Sequence, residues 1–141
     1  MSNLEKAIRI AAQAHKGQRD KAGDPYILHP LRVMMKMASE TERITAVLHD
    51  VAEDTDWTME RLRQEGFHGE ILAALDCLTR RDGEEYGNFI KRVKLNPLAV
   101  KVKIADLEDN LDVSRLNGVT DADAKRLEKY QQVLKMLSNL Y

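Results

Sequence analysis

Asp106 stands between Ala105 and Leu107 in the most apolar stretch of the chain, where Leu98, Val100, Val102, Ile104 and Leu111 leave little polar surface on any side. A carboxylate in such surroundings is costly unless a cation or several donors meet it. A salt bridge to Lys103 or to a nearby arginine would answer that need, and so would a metal ion. His49-Asp50 follows directly on the apolar positions Ile44, Val47 and Leu48, which places the pair on a helix that must pack. Neutral imidazole and carboxylate together suit a borderline divalent ion such as Mn, Fe, Co or Zn. His29, just before Pro30 and therefore expected in an extended conformation, is a candidate ligand from a third segment. Two histidines and two aspartates can form a six-coordinate site that keeps positions for water and substrate.

Glu53 and Asp54 lie three and four residues after Asp50, on the same face of a helix and one turn further along. Acids crowded in this way repel one another. Beside a metal, though not on it, they could orient and deprotonate its water. The alternative is a solvated helix end.

The elements that must position these residues read as helices, since helical periodicity recurs and strand alternation does not persist. Leu4, Ile8, Ala11 and His15 mark one face of a first helix that ends before Gly17. The stretch from Gly17 to His29, with Gly23 and Pro25, reads as a loop. A second helix is expected from Pro30 to about Ala38. Ser39 and Glu42 have capping-box spacing and open a third, running to about Glu53. Shorter helices fit after Thr58, from Gly69 to Arg80 and around Tyr86–Val93. Asn96-Pro97 starts another to about Leu111, and Thr120 with Asp123 caps the last. The expectation is an all-α single domain over 1–141, a bundle of about eight helices.

Composition narrows the function classes. A net charge of −1 excludes a globally basic nucleic-acid binder, so anion recognition must come from local clusters. Cys77 is the sole cysteine, which rules out an internal disulfide and a thiol-only metal site. No apolar run approaches membrane-spanning length, and the N-terminus lacks an apolar signal core, so a cytoplasmic protein without a membrane partner is expected.

Four segments carry a resemblance from about Ala14 to Val133: Ala14-His15-Lys16-Gly17-Gln18, Gly23-Asp24-Pro25-Tyr26-Ile27-Leu28-His29-Pro30, Leu48-His49-Asp50-Val51-Ala52-Glu53-Asp54-Thr55, and Val102-Lys103-Ile104-Ala105-Asp106 with Asn110. In this order they resemble the hydrolase domain of the RelA/SpoT family, especially the small alarmone hydrolases of the HD superfamily. The resemblance implies one manganese ion held by His29, His49, Asp50 and Asp106, with Glu53 and Asp54 positioning the attacking water. It implies cleavage of the 3′-pyrophosphate from the nucleotide (p)ppGpp. It further matches Lys21, Lys103, Asn110, Arg126 and Tyr130 to substrate-side positions. The i, i+4 spacing of Arg126 and Tyr130 suits a phosphate and a nucleoside on one helix face. For Tyr130 core packing is the alternative reading, and for Arg126 a solvated surface.

Two departures touch substrate recognition. The family's adjacent Arg-Lys in the first loop is here Asp20-Lys21, with Arg19 one place earlier, and Asp20 offers no cation to stack on a base. The segment from Arg80 to Tyr86 lacks a lysine that some members place near the substrate. Hydrolysis of another nucleotide or phosphate ester, and a non-catalytic nucleotide-sensing module, are the competing readings. Intact Glu53 and Asp54 speak against the second, because binding alone needs no water-activating pair. Alarmone synthesis is not expected, since family synthetase modules follow the hydrolase domain and no chain remains for one.

Overall fold

A computed structural model describes residues 3–116 and 118–140. Among them nine helices follow one another: α1 (Leu4–Ala14), α2 (Leu28–Met35), α3 (Glu40–Leu48), α4 (Val51–Asp54), α5 (Met59–Gln64), α6 (Gly69–Leu78), α7 (Tyr86–Lys94), α8 (Pro97–Leu111) and α9 (Asp121–Ser138). Their only β feature is an isolated bridge between Arg19 and Pro25. No described helix is long and apolar enough to cross a membrane.

The helix starts follow the sequence signals. Ser39 and Glu42 close the capping box of α3, Asn96 accepts from the backbone N–H of Ala99 ahead of Pro97, and Thr120 with Asp123 caps α9 reciprocally. α3 is central, packing against α1, α2, α6 and α8, while α8 lies against α2, α3, α6, α7 and α9. His29 therefore rides on α2, Asp106 on α8, and His49 and Asp50 at the end of α3.

Two local expectations are corrected. His29 is not extended: α2 already begins at Leu28, so His29 lies within its first turn. Pro30 is then the third helical residue, where its missing N–H would have found no partner in any case. The third helix does not run through to Glu53 either. It stops at Leu48, and a separate four-residue turn, α4, starts at Val51 with Asp50 as its cap. On an unbroken helix neighbouring side chains diverge by roughly 100°. The break allows His49 and Asp50 to face the same centre.

Candidate metal centre and substrate cleft

One ligand atom each from His29, His49, Asp50 and Asp106 can be chosen so that all lie within 4.8 Å of one another. Three of these residues are buried and Asp50 is partly so. The Nε2 of His29 is 2.9 Å from Asp106 Oδ1 and 3.6 Å from Asp50 Oδ2. The Nε2 of His49 is 3.0 Å from Asp50 Oδ2 and 3.2 Å from Asp106 Oδ1. The other ring nitrogens are anchored. His29 Nδ1 is 2.7 Å from Asp109 Oδ2 and His49 Nδ1 is 2.6 Å from the carbonyl oxygen of Ala46. Carboxylate and carbonyl only accept, so both Nδ1 atoms carry the hydrogen, and in the neutral rings both Nε2 lone pairs turn inward. Two inward imidazole nitrogens facing two carboxylates fit a borderline divalent cation. Burial opposes charging His49, but Asp50 and Asp106 outweigh it and hold the ring well above its ordinary 6.5. The pocket is built to keep positive charge.

The ion pair expected for the buried Asp106 is present. Its Oδ2 accepts from Lys103 Nζ at 2.9 Å, while its Oδ1 faces the imidazoles and accepts from Asn110 Nδ2 at 3.2 Å. Asp109 carries a role that the sequence reading did not assign. It fixes His29 and is itself gripped by Arg32, through Nε at 2.8 Å and Nη2 at 3.1 Å. The available signal was a second acid one turn beyond Asp106 on the same apolar helix. Tyr26 was likewise only a motif letter, yet its hydroxyl donates to Asp50 Oδ2 at 2.6 Å.

Carboxylate oxygens of Asp50, Glu53 and Asp54 also come within 4.8 Å of one another, as their spacing predicts. The two outer acids are exposed and differ in their engagement. Glu53 Oε1 accepts from the backbone N–H of Arg80 at 2.9 Å. The Asp54 carboxylate has no hydrogen bond among the described residues, and it is pushed up to about 6, first by loss of water around it and then by repulsion from Asp50 and Glu53.

A cleft of about 570 Å³ opens over this cluster, and all five substrate-side residues expected from the sequence line it. Lys21 and Arg126 meet on one acid: Lys21 Nζ and Arg126 Nη2 approach Asp123 Oδ1 at 3.0 and 2.8 Å. Lys103 and Asn110 both bond Asp106. Tyr130 lines the cleft and also packs on the core. Asp20 is consumed locally. Its Oδ1 accepts from the backbone N–H of Ala22 and Asp24, and Gly23, at φ +88°, lets the loop turn back. His15 stays outside the cluster. It is buried with Nδ1 against Gln18 Oε1, and its Nε2 has no partner among the described residues, unlike a fully satisfied core histidine.

In an all-helical domain, two inward histidines and two aspartates under a basic-rimmed cleft form a candidate divalent-metal site. No protein-family model matches the chain. Its curated relatives include a probable GTP pyrophosphokinase of Mycobacterium leprae, 30% identical over 99% of this chain, and a guanosine-3′,5′-bis(diphosphate) 3′-pyrophosphohydrolase of Vibrio cholerae, 34% identical over 87%. In each case the match covers 19% of the relative, so the chain spans about a fifth of their length. A solved structure reported as a metazoan ortholog of SpoT that hydrolyses ppGpp superposes with a TM-score of 0.78 at 22% identity, over 97% of this chain and 85% of that one. In sequence and fold the chain resembles the RelA/SpoT-type hydrolase domains.

Proposed function

We propose that this chain is a cytoplasmic, manganese-dependent hydrolase that removes the 3′-pyrophosphate of (p)ppGpp, acting as one HD-type domain over 1–141. The observation that carries the reading is the pair of inward Nε2 atoms facing Asp50 and Asp106, flanked by Glu53 and by the Asp54 carboxylate, which has no hydrogen bond among the described residues. Relatives named for this reaction support the choice of substrate.

His29, His49, Asp50 and Asp106 would hold the ion, which when bound supplies an acidified water and a polarised phosphoryl oxygen. Asp54, the less engaged acid, takes the proton from the attacking water, and Glu53 orients that water from its tether on Arg80. The water adds to the phosphorus next to the ribose 3′-oxygen. That oxygen leaves with a proton, and pyrophosphate is released. Lys21 and Arg126 hold phosphate groups, Asn110 faces the ribose and Tyr130 the nucleoside.

The same chemistry on another phosphate ester is a second reading, favoured by Asp20, which puts an acid where a stacking cation would serve a purine. Purified protein with manganese, assayed on ppGpp beside a phosphate-ester panel, separates the two. Pyrophosphate release from ppGpp supports the first reading; turnover of another ester alone supports the second. Asp54→Asn and Glu53→Gln should each lower kcat by about 10²–10⁴ while still binding manganese. Full turnover by both variants would overturn the mechanism.

A further inference from the structure

Tyr86 begins α7 and lines the cleft together with Arg80, Phe89, Lys103 and Tyr130. Its ring is held on several sides. Lys129 Nζ sits 3.9 Å from the ring centroid, Arg80 Cζ sits 5.7 Å away, and the Phe89 ring meets it edge-on at 6.0 Å. Its hydroxyl is buried and finds no hydrogen-bond partner among the described residues, a condition shared only with Nε2 of His15. Native proteins rarely leave a buried hydroxyl unpaired, since the group loses water and gains nothing. Phenylalanine would fill the same space without that cost, and Phe89 shows that a bare ring is accepted one turn away. The hydroxyl therefore needs a reason.

Its surroundings supply one. The Lys103 charge acts on the Tyr86 phenol, and the Lys103 ammonium itself touches Asp106, one of the four clustered residues. Burial pushes the phenol above its ordinary value, so the group is a proton donor throughout the neutral range. We propose that the Tyr86 hydroxyl contacts the substrate directly, donating a hydrogen bond to an anionic oxygen of the phosphate chain that is cleaved, beside the Lys103 ammonium. This rests on the hydrolase reading above and adds a substrate-binding residue to it.

The test is Tyr86→Phe, compared with wild type in turnover of ppGpp, inhibition by inorganic pyrophosphate, manganese affinity and Tm. A hydrogen bond to a charged oxygen corresponds to a loss of roughly 10- to 100-fold in kcat/KM, with a comparable weakening of pyrophosphate inhibition. Manganese affinity should stay within about twofold, and Tm should hold or rise because an unpaired polar group has been removed. A hydroxyl that is merely buried predicts the same rise in Tm with turnover and pyrophosphate inhibition unchanged, and that result would overturn the assignment. A loss traced to manganese affinity alone would overturn it too. Absence of ppGpp turnover in the wild type would defeat the hydrolase reading instead. Calorimetry with inorganic pyrophosphate and manganese then decides Tyr86 independently: weaker binding by Tyr86→Phe supports the contact, and equal or absent binding in both proteins refutes it.

Discussion

The floor of the cleft and its rim are held by different means. On the floor each group is fixed by another fixed group: His29 by Asp109, Asp109 by Arg32, His49 by the Ala46 carbonyl, Asp106 by Lys103 and Asn110. Most of these side chains are buried. On the rim, Lys21 and Arg126 share one oxygen of Asp123, and the Lys21 side chain is 58% exposed. A floor built this way tolerates little change, whereas the rim can exchange one anion for another. The difference suits a site that must place reacting atoms closely while admitting and releasing a polyanion.

Breaking the floor should have the largest effect. Asp106→Ala leaves the buried Lys103 ammonium and two imidazoles without their common acid, so manganese binding should vanish and stability should fall by about 3–5 kcal/mol. Calorimetric titration and chemical denaturation would check both. An unchanged melting temperature, with and without chelator, would contradict the description of the floor.

Asp109→Asn probes the next layer. It removes the charge that fixes the His29 tautomer, and manganese affinity should drop about 10- to 100-fold with the fold retained. Affinity equal to wild type would mean that His29 is oriented by packing alone.

At the rim the expected effects are smaller. Asp123→Asn keeps an acceptor for the Thr120 N–H, so the α9 cap survives while Lys21 and Arg126 lose their shared charge. KM for ppGpp should fall about threefold at low salt, with the gain fading as salt rises and kcat unchanged. A fall in kcat of the size expected for the floor would erase the contrast.

The same pair of proteins yields the smallest effect, in acid. The Thr120 backbone N–H, then Lys21 and Arg126, hold the Asp123 carboxyl below its ordinary 3.8. A depressed folded-state value stabilises the fold above the ordinary value and is lost as pH falls below it. The Tm advantage of wild type over Asp123→Asn should therefore be present at neutral pH and close progressively below about pH 4. A difference that persists in strong acid would place the stabilisation elsewhere.

How well the sequence revealed each part depended on how local its cause was. Helix starts at Ser39, Asn96 and Thr120 were readable because a cap is a contact between residues three apart. The convergence of His29, His49, Asp50 and Asp106 was readable only through the combination of residue type, apolar setting and motif order. The break after Leu48 was not, because no Gly or Pro marks it. Asp109 escaped because its partner His29 lies 80 positions away. Asp20 was readable from local turn chemistry, an Asp followed by Gly23-Asp24, whereas its difference from the family's basic pair pointed only to a missing cation for a base.

The Lys21–Asp123 pair joins positions 102 apart, and on α9 only Asp123 and Leu137 are buried. Tyr130, Val133 and Leu134 pack on the core but stay partly exposed, and the helix is the last element of the fold, so its opening free energy should lie below that of the molecule as a whole. Its amide protons then become a gauge of occupancy. A polyanion bridging Lys21 and Arg126 would slow their exchange along the first turns of α9, while those of α3, sealed at the centre, would scarcely notice.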